Sequence, residues 1–176
     1  MRVIAGEHGG RTLAAPRGRA TRPTSDRVRE AVFSILGDLS GVDVLDLYTG
    51  SGALAIEALS RGAASATLVD SAPAAIASVR RNLASLGLEA RVRREDVRAF
   101  LRAASRSAPQ YDLVFLDPPY RHSGELGAQL SAALAPLLAP GARVVAESDR
   151  RAPLRLDLPL LDERRYGDTL ILIYGS

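Results

Sequence analysis

The chain has 176 residues, 47% hydrophobic and 24% charged, with a formal net charge of +3 and no cysteine. That length suits one domain with a sizeable core and is short for two. The composition excludes a disulfide scaffold, no apolar run is long enough to span a bilayer, and no charged start with an apolar follow-on reads as a signal peptide, so a soluble cytoplasmic protein is expected.

All 23 basic residues are arginines. That bias fits phosphate recognition, and it fits a codon preference against lysine equally well. Position says more than number: seven arginines face three acids between Met1 and Glu30. Basic charge is thus concentrated at the amino end of a nearly neutral body, as in a polyanion-facing arm.

Arg2 to Ala5 and Arg11 to Ala14 are strand-compatible runs separated by Gly6-Glu7-His8-Gly9-Gly10, which predicts a small amino-terminal hairpin. Pro16 to Pro23 is an irregular basic segment with nothing to pack. Thr24 or Ser25 can cap the next helix, whose apolar face is read as Val28, Ala31, Val32, Ile35 and Leu36, with Arg27, Arg29 and Glu30 on the other faces. Strand and helix then alternate. Val42 to Leu47 is a strand, Ala53 to Ser60 a helix, Ala66 to Val69 a strand, and Pro73 opens a helix stopped at Gly87. Ala90 to Arg93 is the third strand, Val97 to Ala103 a short helix, and Leu113 to Leu116 the fourth strand, ended by Pro118 and Pro119, which have no N–H to extend a ladder. A helix from Glu125 to Ala135, a turn at Pro140-Gly141 and a fifth strand from Arg143 to Ala146 follow. Leu160 to Tyr166 and Thr169 to Tyr174 close the chain as a hairpin around Gly167-Asp168. The pattern predicts an α/β fold with a mostly parallel, doubly wound sheet, right-handed crossovers and an antiparallel carboxyl-terminal edge.

The first of these strands ends Asp46-Leu47-Tyr48-Thr49-Gly50-Ser51-Gly52, where a glycine turn brings bare backbone and a helix amino terminus up to a ligand. Gly50, Gly52 and Ala55 partly satisfy a dinucleotide fingerprint, with Asp70 at the distance of a ribose-binding acid, so a nicotinamide enzyme has to be considered. Asp46 argues against it, because a carboxylate there repels a pyrophosphate and attracts a cation. S-adenosylmethionine has a cationic sulfur, an amino acid tail, a ribose and an adenine. Asp46, Asp70 and Asp96 at successive strand ends match the amino acid end, the ribose hydroxyls and the adenine amino group.

Asp117-Pro118-Pro119-Tyr120 then reads as an amino-methylating site. The Asp117 carboxylate and Pro118 carbonyl can each accept one N–H of an exocyclic amine, Pro119 stiffens the loop, and a base stacked on Tyr120 gains ~1–3 kcal/mol. No cluster has metal-ligand spacing. His8 and His122 read as surface residues, His122 being near enough to Tyr120 to reach substrate.

At this point the chain resembles the bacterial 16S ribosomal RNA guanine-N2 methyltransferases of the RsmD type, almost end to end. The resemblance rests on Arg2-Val3-Ile4-Ala5-Gly6, Gly10-Arg11-x-Leu13, Arg22-Pro23-Thr24-Ser25-Asp26-Arg27-Val28-Arg29-Glu30, Asp46 to Leu54, Glu57 to Ala63 and Asp117 to Tyr120. Tyr48, Thr49 and Ala55 depart mildly from the commoner pattern. The resemblance implies a class I, Rossmann-like methyltransferase fold with a seven-stranded sheet, residues 24–176, behind an RNA-facing hairpin arm, residues 1–23. It implies S-adenosyl-L-methionine as cofactor, held by Asp46, Thr49, Gly50, Ser51, Gly52, Asp70 and Asp96. Catalysis falls on Asp117, Pro118, Pro119 and Tyr120, and RNA contact on Arg2, Arg11, Arg17, Arg19 and Arg22. The expected partner is 16S rRNA or the small ribosomal subunit, met by a monomer without metal or membrane. The rivals are an amino methyltransferase acting on DNA or another RNA, and a non-catalytic ribosome-assembly RNA-binding factor.

Overall fold

The structure, a computed structural model, describes residues 1–16, 25–104, 110–118 and 124–176. Helix α1 spans Asp26–Leu36, and the Ser25 hydroxyl accepts the Val28 N–H at 3.3 Å as its cap. Its buried face is Val28, Arg29, Val32, Phe33 and Leu36. This differs from the apolar stripe read in the sequence: Ile35 is exposed and Arg29 is fully buried. The helix is rotated to bring the Arg29 guanidinium to buried acceptors, which outweighs the burial of one more isoleucine face.

Then follow β1 (Asp43–Leu47), α2 (Ala53–Ser60), β2 (Ser65–Asp70), α3 (Pro73–Leu86), β3 (Arg91–Arg94), α4 (Val97–Ala104), β4 (Tyr111–Leu116), α5 (Gly124–Leu134), a 3-10 turn at Ala135–Leu137, β5 (Leu138–Asp149), β6 (Leu160–Tyr166) and β7 (Thr169–Gly175). Pro73 starts α3, where a missing N–H costs nothing, and Gly87 in the left-handed conformation stops it. Pro136 ends α5 and leaves only the tighter turn. The Pro140-Gly141 pair, expected as a turn before a short strand, lies inside a longer β5, where the pairing with β4 shifts register between Tyr111 and Leu113.

The seven strands form one sheet in the order β3-β2-β1-β4-β5-β7-β6. The neighbours from β3 to β5 are parallel, and β7 runs antiparallel to both β5 and β6. From β1 the chain winds outward to β2 and β3, then returns to β4 on the other side of β1. The carboxyl ends of β1 and β4 therefore flank the switch point, where a crevice opens in sheets of this kind.

Register decides which side chains share that crevice. Asp46 pairs with Leu68 on one side and Phe115 on the other, and Phe115 pairs with Val145. Paired residues point to the same face, and faces repeat every second residue. Leu68, Phe115 and Val145 belong to one core layer with Val32, Phe33, Ile56 and Val79. Asp46, Asp70, Asp117 and Glu147, in step with them, follow the pleat to this same side. Leu47, Val69, Leu116 and Ala146 alternate onto the opposite layer with Leu101 and Leu130.

The amino-terminal hairpin forms around a single antiparallel bridge, Arg2 to Thr12, with Val3 N–H donating to Arg11 O and Gly10 N–H to Val3 O, both at 2.9 Å. It is docked by its apolar pair Val3 and Leu13, both buried. Gly6, at φ +80°, lies so close to α2 that a Cβ would sit 1.8 Å from the Ser60 carbonyl oxygen, so only glycine fits.

Candidate active site at the strand ends

The glycine turn is built from below by Asp46. This residue is buried, and its Oδ2 accepts both the Thr49 hydroxyl at 2.7 Å and the Ala55 N–H at 3.3 Å, so one oxygen ties the turn to the first turn of α2. Burial pushes its pKa up to about 7, and the neighbouring Asp70 charge adds to the rise against those two hydrogen bonds. Gly52 adopts φ +79°, and a Cβ there would meet Leu68 Cδ2 at 3.0 Å and Val79 Cγ2 at 3.2 Å. Its hydrogen atom is what lets α2 start this close to β2 and α3. Gly50, at φ +56°, has, among the described residues, only the Tyr48 carbonyl oxygen within 4 Å of a Cβ position, at 3.9 Å. The turn is therefore tight at Gly52 and open at Gly50. Tyr48, between strand and turn, has φ 63°, a conformation that L side chains rarely adopt, and such local strain concentrates at ligand sites.

Asp70 is buried at the end of β2, with Oδ2 accepting Gly50 N–H at 3.0 Å and Oδ1 accepting Ala72 N–H at 2.8 Å. Each oxygen keeps a lone pair. The carboxylate is thus held in one orientation yet able to accept from a pair of hydroxyls. Asp96 is exposed after β3, and its Oδ1 accepts Ala99 N–H at 3.0 Å, capping α4 and leaving the other oxygen to solvent.

Asp117 follows β4 directly and Pro118 is buried behind it. Asp117 as a whole residue is exposed, yet its carboxyl group is largely buried. That burial holds its pKa well above the ordinary aspartate value, with the Glu147 and Asp46 charges adding to the shift. Two like charges on adjacent strands act in this direction whatever the depth of burial. These groups fit S-adenosylmethionine: a glycine turn open at Gly50, a fixed carboxylate with free lone pairs, and several negative charges with no basic side chain paired to Asp46, Asp70 or Asp117 among the described residues.

The structure thus brings Asp46, Thr49, Gly50, Ser51, Gly52, Asp70 and Asp117 to one end of the sheet, with Asp96 on the neighbouring loop. Pro119, Tyr120, His122, Arg17, Arg19 and Arg22 lie outside the described residues. Arg2 and Arg11 are exposed on the hairpin, with Arg2 Nε 3.4 Å from Asp26 and Arg11 Nη2 donating to Ser85 O at 3.4 Å. Among the described residues no group of His, Cys, Asp or Glu is placed to hold a metal ion, and no helix is long and apolar enough to cross a membrane.

Three features went unread in the sequence. Glu147 stands at the end of the β5 segment that pairs with β4, and the rule that found Asp46, Asp70, Asp96 and Asp117 would have found it had the strand-end acids been followed one strand further. Asn82 is buried on α3, where its Nδ2 donates to Ala14 O at 3.0 Å and Ser51 O at 2.9 Å while its Oδ1 accepts Ala14 N–H at 2.8 Å. It joins the end of the hairpin to the glycine turn, and a lone Asn in a helix carries no signal of that. Arg29 and Glu57, both fully buried, are the third.

A sheet wound in this order, with its switch point opening onto carboxylates, is the architecture of the class I S-adenosylmethionine-dependent methyltransferases. Within that class the chain belongs to the family described as Conserved hypothetical protein 95, whose profile matches residues 1–175. It is 40% identical to the "Putative rRNA methyltransferase YlbH" of Bacillus subtilis, over 99% of this chain and 98% of that one. It is 32% identical to the ribosomal RNA small subunit methyltransferase D of Haemophilus influenzae, over 100% and 94% of the two chains. Among solved structures, the "Putative methyltransferase yhhF" of Escherichia coli superposes with a TM-score of 0.85 at 33% identity, covering 100% of this chain and 97% of that one. The family resemblance and fold class read from the motifs therefore hold.

Proposed function

We propose that the chain transfers a methyl group to the exocyclic N2 amine of a guanine in small-subunit ribosomal RNA. The observation that carries this reading is the acceptor-only step at the switch point: Asp117, its pKa raised, followed by prolines that have no N–H to offer. The relatives named for ribosomal RNA supply the polymer.

S-adenosylmethionine supplies an electrophilic methyl group on a cationic sulfur. The chain's own residues do the rest. Asp70 accepts from the ribose hydroxyls, Asp96 from the adenine amine, and the Gly50 to Gly52 turn leaves room for the amino acid end above Asp46. The Asp117 carboxylate and the Pro118 carbonyl each accept one N–H of the guanine amine, which draws its lone pair out of ring conjugation and aims it at the methyl carbon. The bound cofactor would give up its methyl group and keep the electron pair of the broken C–S bond, while the amine would shed one proton to Asp117, whose raised pKa makes it a ready acceptor. Positioning and charge complementarity carry the rate. The base must be unpaired or flipped out of its stack to reach Asp117, and the arginines from Arg2 to Arg22 hold the surrounding phosphates.

The test is a mass-spectrometric map of methylated guanines in small-subunit RNA from cells with and without the protein, paired with methyl transfer by the purified protein to subunits, naked rRNA and DNA. One N2-methylguanine that disappears with the gene and is restored in vitro is the expected result. Transfer to DNA alone, or cofactor binding without transfer to any of the three, would overturn it.

A further inference from the structure

The two edges of the sheet carry arginine in different ways. At the β6 edge, Arg164 lies 3.0 Å from Asp162, Arg165 lies 2.7 Å from Glu163, and Arg155 reaches Glu163 at 3.6 Å. Cations there are matched by acids of the same strand. At the other edge stand Arg91, Arg93 and Arg94 of β3, all exposed, with Arg80 and Arg81 exposed on α3 just before it. None of these five is ion-paired to an acid among the described residues. Between Arg80 and Arg94 the chain has five arginines and one acid, Glu89, a net +4 against +3 for the whole chain. Because Met1 to Glu30 is basic too, the chain outside these two stretches is net negative. A general preference for arginine therefore does not account for the strip.

Charge of either sign keeps an open edge strand from pairing with another chain, and β6 is guarded with both signs. A set of one sign repels itself and gains from a polyanion laid across it. The position of the strip fits such a ligand. The hairpin rests along α3, where Arg11 Nη2 donates to Ser85 O at 3.4 Å and Asn82 holds Ala14 by its N–H at 2.8 Å and its carbonyl at 3.0 Å. Arg81 is one turn before Ser85 on the same face of α3, so the strip begins where the arm lies. At its far end Arg94 pairs in register with Asp70, at the edge that carries the site. From β3 to β4 the sheet counts three strand steps, about 14 Å in the hydrogen-bonding direction. The strip is thus too far from Asp117 to touch the target base and near enough to meet the phosphates that flank it.

We propose that Arg80, Arg81, Arg91, Arg93 and Arg94 form a second phosphate-binding surface for the RNA substrate, continuous with the hairpin arm. Guanidinium groups hold phosphate oxygens through paired N–H donors and position the RNA without reading its bases. This rests on the RNA reading above, and the experiment separates the two. It compares Arg81→Gln/Arg91→Gln/Arg93→Gln with Arg155→Gln/Arg164→Gln/Arg165→Gln, which removes the same charge from the paired edge. Binding to purified small subunits and to naked small-subunit RNA is measured over a range of salt, with transfer kinetics, S-adenosylmethionine affinity and melting temperature alongside. In the β3-edge variant RNA affinity should fall about 10- to 100-fold at low salt, and the slope of log affinity against log salt should become shallower by about 2–3, close to one for each lost phosphate contact. KM for RNA should rise, while kcat at saturating RNA, cofactor affinity and melting temperature stay near the parent values. The β6-edge variant should keep the parent slope and KM. A parent-like slope in the β3-edge variant, even in one that aggregates more readily, reduces the strip to protection of an open edge and overturns the proposal. Equal losses in the two variants mean that only net charge is felt, and overturn it as well. Both of those outcomes leave transfer to guanine by the parent protein, and so the RNA reading, intact. A parent protein that methylates DNA alone overturns that reading instead.

Discussion

Two groups of buried charge lie on the same side of this sheet, and they are composed in opposite ways. Under the hairpin, Glu57 has no solvent exposure and all of its neighbours are donors: Ile4 N–H at 2.6 Å and Ala5 N–H at 3.0 Å, Arg61 Nε at 2.8 Å, and Arg29 Nη1 at 3.8 Å. Arg29 in turn gives Nη2 to Asp26 at 2.8 Å and to the Arg2 carbonyl. Charge is neutralised within the group, and the partners come from the hairpin, α1 and α2. At the strand ends, Asp46, Asp70 and Asp117 gather like charges with no basic side chain paired to them among the described residues. A compensated group holds elements together. An uncompensated one costs stability until a cationic or donor-rich ligand arrives, so it marks the site.

The sharpest way to break this contrast is Glu57→Ala, which strips the compensated group of its centre. Arg29 already has Nε and Nη1 without a hydrogen-bond partner, and the change leaves the guanidinium with Asp26 as its only acid and the Arg2 carbonyl as its other acceptor among the described residues. The expected loss is about 3–5 kcal/mol of unfolding free energy, the range for removing one partner of a buried pair. Replacing Arg29 and Glu57 together with methionine should recover much of it. Denaturant melts decide the point, and a near-neutral Glu57→Ala would mean that the hairpin does not depend on this latch.

Asp117→Ala attacks the other group. It should reduce methyl transfer by about 10²–10³-fold, the scale of losing one preorganised polar partner in a site, while cofactor affinity and melting temperature stay near the parent values. Transfer at the parent rate would remove Asp117 from the chemistry. Its raised pKa adds a pH dependence. Asp117 must be ionised to accept the amine, so kcat/KM should fall on acidification at a pH well above that of an ordinary aspartate, and Glu147→Gln, by removing one of the charges that raise it, should move that limb to lower pH.

The contrast also explains what was legible in the sequence. The acids at the strand ends could be read because they interrupt apolar runs at positions fixed by the alternation of strand and helix. Asp46, Asp70, Asp96 and Asp117 were placed that way, and so was nearly every element boundary in the parallel half of the sheet. Arg29 and Glu57 could not be read in the same way. They sit within helices at spacings that ordinary solvated charges also occupy, and their burial depends on the docking of residues 1–16, which no local pattern reports. The extension of β5 past Ala146 is likewise a product of pairing with β7, from Arg143–Gly175 to Asp149–Thr169, and its early start at Leu138 is a product of pairing with Tyr111 of β4.

Asp46 lies between the two kinds of group, since it is buried like Glu57 but faces other acids. Its pKa of about 7 in the folded chain against an ordinary 3.8 means that the folded state binds the proton more tightly than the unfolded one. Its contribution to stability is fully present below pH 3.8 and is lost as pH rises through 7. In Asp46→Asn the amide oxygen can still accept from Thr49 and Ala55, which both bond to a single oxygen. The ligand-free variant should therefore melt roughly a few degrees higher than the parent at pH 8, with a smaller gain at pH 5. Cofactor affinity should fall about 10-fold at pH 8, because the negative charge facing the cationic ligand is gone. A variant that is neither more stable nor weaker in cofactor binding would place Asp46 with the compensated group.

The smallest effect separates the two roles of Asp96, which caps α4 with one oxygen and is assigned to the adenine amine with the other. Asparagine is as good an amino-terminal cap as aspartate, whereas alanine costs about 1 kcal/mol. Asp96→Asn should therefore leave the melting temperature unchanged, and Asp96→Ala should lower it by roughly 2–4 °C for a domain of this size. If the free oxygen accepts from adenine, the two variants should weaken S-adenosylmethionine binding to similar extents, a few-fold in calorimetric titration, since an amide oxygen is a weaker acceptor than a carboxylate and alanine offers none. Cofactor affinity that tracks the melting temperature instead, falling in the alanine variant alone, would make Asp96 a cap and nothing more. The acidic edge would then reach the cofactor through Asp46 and Asp70 without help from β3.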